Sequence, residues 1–172
     1  MQITYSSSTE NHGFQNTVVA FKVNDGELED FRHDASEQLS LYLFFTMIAE
    51  RCPRGEYLTF FSVPTSATGV MGRIEEYEAA NFCKKPKTHR AELIELSKLR
   101  RSKDLQWTFQ RISDEPKRAL DDHIKFIRTG RKKESPLVLR PGDPRENPWS
   151  RGREGIDDQI KRAIAKDRRG DA

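Results

Sequence analysis

The chain has 172 residues, 30 of them basic and 27 acidic, which gives a formal net charge of +3. Apolar residues make up 35% and charged residues 33%; even with the 10 glycines added, the apolar share stays under the usual ~45–50%, and the charged share exceeds the usual quarter or so. This excludes an integral membrane protein, a collagen-like chain and a disulfide-rich scaffold, and leaves room for one domain, alone or with a tail.

Residues 1–5 open the chain with a short strand. Residues 6–15 are rich in Ser, Thr and Asn and read as a loop. Residues 16–23 (NTVVAFKV) are β-branched and aromatic, and Asn24, Asp25 and Gly26 end that strand with turn chemistry. Asp34, with Glu37 three residues on, makes an acidic version of a capping box. The helix it opens runs to about Arg51, since Pro53 forbids much more. Within it, 9 of the 11 residues in 39–49 are apolar. A membrane span needs about 20 such residues, so this helix belongs in a core or in a homodimer interface. Residues 57–63 (YLTFFSV) form a strand closed by Pro64. Residues 65–72 are a small-residue loop without the Lys-Ser/Thr of a P-loop or the spacing of a dinucleotide fingerprint, and 73–82 reads as a short helix.

Residues 83–87 (CKKPK) form a basic break. Thr88 can cap a helix over about 89–103, with Leu93, Ile94, Leu96 and Leu99 as its apolar stripe. Leu105, Trp107 and Phe109 alternate with Gln106, Thr108 and Gln110, the period of a strand. Ser113-Asp114-Glu115-Pro116 opens a helix to about Thr129; Leu120, Ile124 and Ile127 mark its buried face, and Gly130 stops it. A short strand follows at 136–140, then a Pro- and Gly-rich linker over 141–155. The final stripe of Ile156, Ile160, Ala163 and Ile164 is too thin to hold a helix alone.

This mixture of strands and helices predicts an α+β fold. Its expected form is a small, mostly antiparallel sheet with helices on one face, ferredoxin-like as a first topology, followed by a basic C-terminal tail. Residues 1–140 form the single domain, and 141–172 a flexible tail whose helix forms on a partner.

Charge is divided unevenly along the chain. Residues 1–82 hold 5 basic and 12 acidic side chains, residues 83–172 hold 25 and 15. The first part makes most of the core, and the second, 83–140 with the tail, is a basic surface. Such a surface attracts polyanions. The expected function is a small, non-catalytic, cytoplasmic protein that binds RNA or DNA through Lys84, Lys85, Lys87, Arg90, Arg100, Arg101, Lys103, Arg131, Lys132 and Lys133. Trp107 and Phe109 have the residue types of a base-stacking platform, but core packing is the commoner role of strand aromatics.

The alternative is a protein-binding adaptor, inhibitor or assembly factor whose tail folds on its partner. A third reading is a metal-independent ribonuclease. His89 and His123 are the candidate catalytic groups, and Lys87 and Arg90 beside His89 supply cations for a phosphorane. No metal site and no cofactor motif is legible, and Cys83 and His89 lack paired zinc spacing. Cys52 and Cys83 form no close pair, which fits free thiols in a reducing compartment.

Overall fold

Three strands, then crossovers through helices to two more, make up the computed structural model, which describes residues 1–83 and 86–130. In chain order these are β1 (Gln2–Asn11), β2 (Gln15–Val23), β3 (Glu29–His33), α1 (Glu37–Arg51), β4 (Tyr57–Ser62), α2 (Ser66–Met71), α3 (Ile74–Ala79), α4 (Arg90–Ser102), β5 (Gln106–Arg111) and α5 (Asp114–Thr129). The strand expected at 136–140, the linker and the tail over 141–172 lie outside the described residues.

The sheet order is β3-β2-β1-β4-β5. The α+β class is as expected, but the sheet is mixed rather than mostly antiparallel. β1–β2 and β2–β3 pair antiparallel, while β1–β4 and β4–β5 pair parallel. The reason is connection length: parallel neighbours need a crossover of a dozen or so residues, and α1 and then α2–α4 supply it. A run of three consecutive antiparallel strands also departs from the ferredoxin-like order.

Helices cover both faces, not one. On one face Ile3, Tyr5, Val19 and Phe21 pack with Leu41, Phe44, Phe45 and Ile48 of α1 and with Leu93 and Leu96 of α4. On the other, Val18 and Ala20 meet Leu120 and Ile124 of α5. β2 is therefore buried on both sides, which explains its nearly unbroken apolar run. The buried side chains of α1 place that helix in the core. Among the described residues, no helix is long and apolar enough to cross a membrane.

Several local expectations change. Residues 6–11 are strand, not loop: β1 continues in register with β2 as far as Asn11 opposite Gln15. Pairing with an apolar, two-sided strand outweighs the turn preference of Ser and Asn, and the Thr9 and Thr17 hydroxyls meet across the pair at 2.8 Å. Gly13, at φ +83°, makes the hairpin turn. The short, charged strand β3 was not foreseen; it forms a sheet edge, where charge discourages further pairing. The cap of α1 is Ser36, whose Oγ accepts from Leu39 N at 3.4 Å. Asp34 instead accepts from Asn16 Nδ2 at 2.7 Å. Residues 66–71 are helical, with Thr65 and Thr68 forming a reciprocal capping box. The cap position of α4 is His89, at φ +53° and without a side-chain cap, rather than Thr88.

β5 and α5 form where the sequence places them. Trp107 and Phe109 serve the core: Phe109 stacks on Phe60 at 5.0 Å, and Trp107 Nε1 donates to Met71 O at 3.3 Å.

Candidate functional site

Strand lengths create an opening in the sheet. β1 pairs with β4 only from Gln2 to Thr4, opposite Thr59 to Phe61. β4 ends at Ser62, while β1 runs on to Asn11. Past Tyr5, then, the β4-facing edge of β1 borders a crevice. α1, α2 and α5 each follow a strand that runs toward this end, so they start there. α4 starts there as well, since His89 Nε2 lies 3.4 Å from Ser36 Oγ at the head of α1. Crevices outside the carboxyl ends of parallel strands, where connections diverge to opposite sides, are the usual ligand sites of open α/β sheets.

The cleft measures about 240 Å³ and is lined by Tyr5, Ser6, Ser7, Glu37, Ser62, Val63, Thr65, Lys117 and Asp121. The strand pleat sends successive serines to opposite faces. Ser6 Oγ donates to Asp121 Oδ1 on α5 at 2.6 Å, and Ser7 Oγ donates to Glu37 Oε1 on α1 at 2.7 Å. Lys117 Nζ donates to Asp121 Oδ2 at 2.6 Å, one helical turn away.

Burial opposes the ionisation of Asp121. The hydrogen bonds from Lys117 and Ser6, with the charges of Lys117 and Lys125, outweigh it and hold the carboxyl below the usual carboxylate range. Burial pushes the Tyr5 phenol far above its ordinary value; nearby Ser62 works against this shift and the charge of Glu37 adds to it. The Tyr5 hydroxyl is sealed from water and makes no hydrogen bond of good geometry, Ser62 included.

These groups leave the cleft with one net negative charge, from Glu37 and Asp121 against Lys117. It is lined by hydroxyls and suits a ligand that presents hydroxyls or positive charge. That net charge disfavours a phosphate inside it. Asp121, already tied to Lys117 and more acidic than usual, is a weak proton acceptor near neutral pH.

The basic residues singled out in the sequence divide into groups. Lys84, Lys85, Arg131, Lys132 and Lys133 lie outside the described residues. Lys87 is exposed and Arg90 half-buried at the start of α4, the cleft end of the sheet, where Arg90 Nε donates to Pro86 O at 3.1 Å. Arg101 is exposed at the opposite end. Arg100 is not a surface group: Nη2 donates to Glu78 Oε2 at 2.8 Å, Nη1 donates to Leu105 O at 3.2 Å, and the guanidinium lies 5.5 Å from the Trp107 ring centre. Lys103 Nζ donates to Ala49 O, Glu50 O and Cys52 O at 2.9, 2.6 and 3.0 Å, closing the C-terminal end of α1. Arg100 and Lys103 therefore serve the fold.

His89 and His123 fall on opposite sides of the sheet, and neither lines the cleft. His89 packs edge-on against Tyr42. His123 Nε2 is 3.7 Å from Asp30 Oδ1, beyond hydrogen-bond reach. Among the described residues, no group of three or more His, Cys, Asp or Glu side chains could hold a metal ion. The sequence reading missed Ser6, Ser7, Ser62 and Asp121, and saw Glu37 only as a capping residue. The available signal was a polar run continuing a strand whose start, Ile3 and Tyr5, alternates into the core.

No family model matches the sequence, and no curated protein matches it. Among solved structures, the chain is similar to the RNase H domain of PFV, at 10% identity over 72% of this chain and 90% of that one, with a TM-score of 0.49. It is similar to the foamy viral protease–reverse transcriptase in complex with dsDNA, at 11% identity over 66% and 82%, with a TM-score of 0.46. It is also similar to LC11-RNase H1 in complex with RNA/DNA hybrid, at 11% identity over 70% and 90%, with a TM-score of 0.42. At these identities, and with TM-scores below 0.5, the likeness decides nothing about what this chain binds or does.

Proposed function

We propose that this chain is a cytoplasmic nucleic-acid-binding protein that does not cleave what it binds. The observation that carries this is the concentration of charge. Residues 83–133 hold 16 basic and 7 acidic side chains, whereas 134–172 hold 9 and 8. The excess of positive charge therefore lies ahead of residue 134, and 134–172 add little net charge; within the described residues 86–130 there are 11 basic and 7 acidic side chains. At the cleft end of the sheet, Lys87, Arg111 and Arg118 are exposed. Phosphate contacts from such side chains set position on a strand and dominate affinity. A weakly basic Asp121 beside Lys117 favours binding over catalysis. The free thiols of Cys52 and Cys83 agree with a reducing compartment. The domain is taken as 1–140, with 141–172 an extension that can engage a second partner.

Fluorescence anisotropy with labelled single-stranded RNA and duplex DNA tests the reading. With roughly four phosphate contacts, affinity should fall about a hundredfold between about 50 and about 200 mM salt, and the labelled strands should stay intact. Absent or salt-independent binding would overturn it. Deleting 141–172 should weaken binding without abolishing it.

A further inference from the structure

A second pocket lies at the other end of the parallel strands, where β4 and β5 begin. It measures about 300 Å³, at the lower end of the size range of small-molecule sites. The Tyr57 ring, 50% exposed, and the Trp107 indole contribute its aromatic surface. Arg100 is part of the lining and is rigidly held, between Glu78 at 2.8 Å, Leu105 O at 3.2 Å and the indole at 5.5 Å.

Glu75 pairs with Arg100 here without a hydrogen bond. Glu75 is 81% exposed and stands 3.6 Å from Arg100 Nη1, too far for a hydrogen bond, so its oxygens keep acceptor capacity. Arg100 Nε is buried and has no acceptor. The Gln106 amide adds an exposed donor and acceptor.

We propose that this pocket binds a purine base that presents a carbonyl beside two N–H donors, as guanine does. The ring would lie against the half-exposed Tyr57 ring, as unstacked bases do on aromatic side chains. Glu75 would accept from the two neighbouring N–H groups. The adjacent carbonyl would turn toward Arg100 Nη1, the guanidinium nitrogen that stands 3.6 Å from Glu75. Adenine offers a donor where guanine has its carbonyl, and hypoxanthine lacks the exocyclic amine. The base can come from a free mononucleotide or from an unpaired position in a strand; the recognising chemistry is the same.

Isothermal titration of the full chain with GMP, IMP, AMP and inorganic phosphate tests this. GMP should bind, IMP about tenfold more weakly and AMP more weakly still, since one lost edge contact is worth about that much. Phosphate alone should not compete. Glu75→Gln should lower GMP affinity about tenfold with thermal stability unchanged, because the side chain is exposed. Equal binding of GMP and AMP, no GMP binding, or an unaltered Glu75→Gln variant would overturn the inference. A guanine-containing single strand whose affinity also falls with Glu75→Gln assigns the site to strands; a fall for GMP alone assigns it to mononucleotides, and both support a base site. The result is separable from the phosphate-binding reading, since GMP can bind where strands fail and strands can bind where GMP fails.

Discussion

Replacing Arg100 by Met tests whether its charge belongs to the fold or to the binding surface. The Arg100 side chain is 9% exposed and its partner Glu78 is 11% exposed. Removing one member of a buried ion pair costs about 3–5 kcal/mol, mainly because the other charge stays buried without its counter-ion. Glu78 keeps the hydrogen bond that Ser97 Oγ donates at 2.6 Å, which puts the expected loss near the lower bound, about 3 kcal/mol. At about 2–4 °C per kcal/mol for a chain of this size, Tm should fall by roughly 6–12 °C. Urea unfolding and thermal melts of the full chain measure both quantities. Arg101→Met is the control: that exposed side chain should change stability by less than about 0.5 kcal/mol. The double variant Arg100→Met/Glu78→Met should recover much of the loss, since no buried charge is then left unpaired. Arg100→Met with wild-type stability, or with binding lost and stability kept, would refute the reasoning.

Lys103→Met removes three charge-assisted bonds to the end of α1 and should cost about 2 kcal/mol in urea unfolding. Asp121 has a folded-state pKa below its unfolded value of 3.8, so its contribution is full above that value and is lost as pH falls through the lowered one. Wild type should therefore lose its stability advantage over Asp121→Asn on acidification through this range; parallel pH profiles would contradict it. Gly130→Ala places a Cβ where nothing lies within 4 Å but φ is +66°, so the cost is conformational strain alone, about 1 kcal/mol by thermal melt. Lys87→Ala and Arg118→Ala should each reduce the slope of log affinity against log salt by about one, with little change between strand sequences.

How much of the fold could be read in advance depended on whether the determining contacts are local. α5 was legible at both ends: Ser113 and the acidic first turn open it, and Gly130 closes it in the left-handed conformation. β2 and β5 announced themselves through β-branched and aromatic patterning. The second half of β1 did not, because Ser6 to Asn11 are strand only by virtue of the β2 residues they face. Nor could the parallel pairing of β4 be read, since it depends on where α1 returns the chain. The N-cap of α1 shows the same limit. Asp34 has the right residue type and spacing, but Asn16 on β2 takes its carboxylate and the cap passes to Ser36.

The cleft was hidden for a related reason. Ser7 meets a partner 30 residues away and Ser6 one 115 residues away, so no window of sequence contains the pair that gives either serine its role. The basic charge was visible in sequence, yet counting it does not say where it is displayed. Arg100 and Arg101 are neighbours, but one is buried in an ion pair and the other is exposed. Arg128 is likewise drawn inward, donating to Ser8 O at 2.6 Å and Asn16 O at 3.2 Å to fix α5 against the β1–β2 hairpin. What remains at the cleft end comes from opposite sides of the sheet: Lys87 at the head of α4, and Arg111 and Arg118 at the end of β5 and the start of α5. They share that end because α4 and α5, like α1, begin at the carboxyl end of the parallel strands. The proposed electrostatic case for nucleic acid therefore depends on the crossovers, which start these separate segments at one end of the sheet.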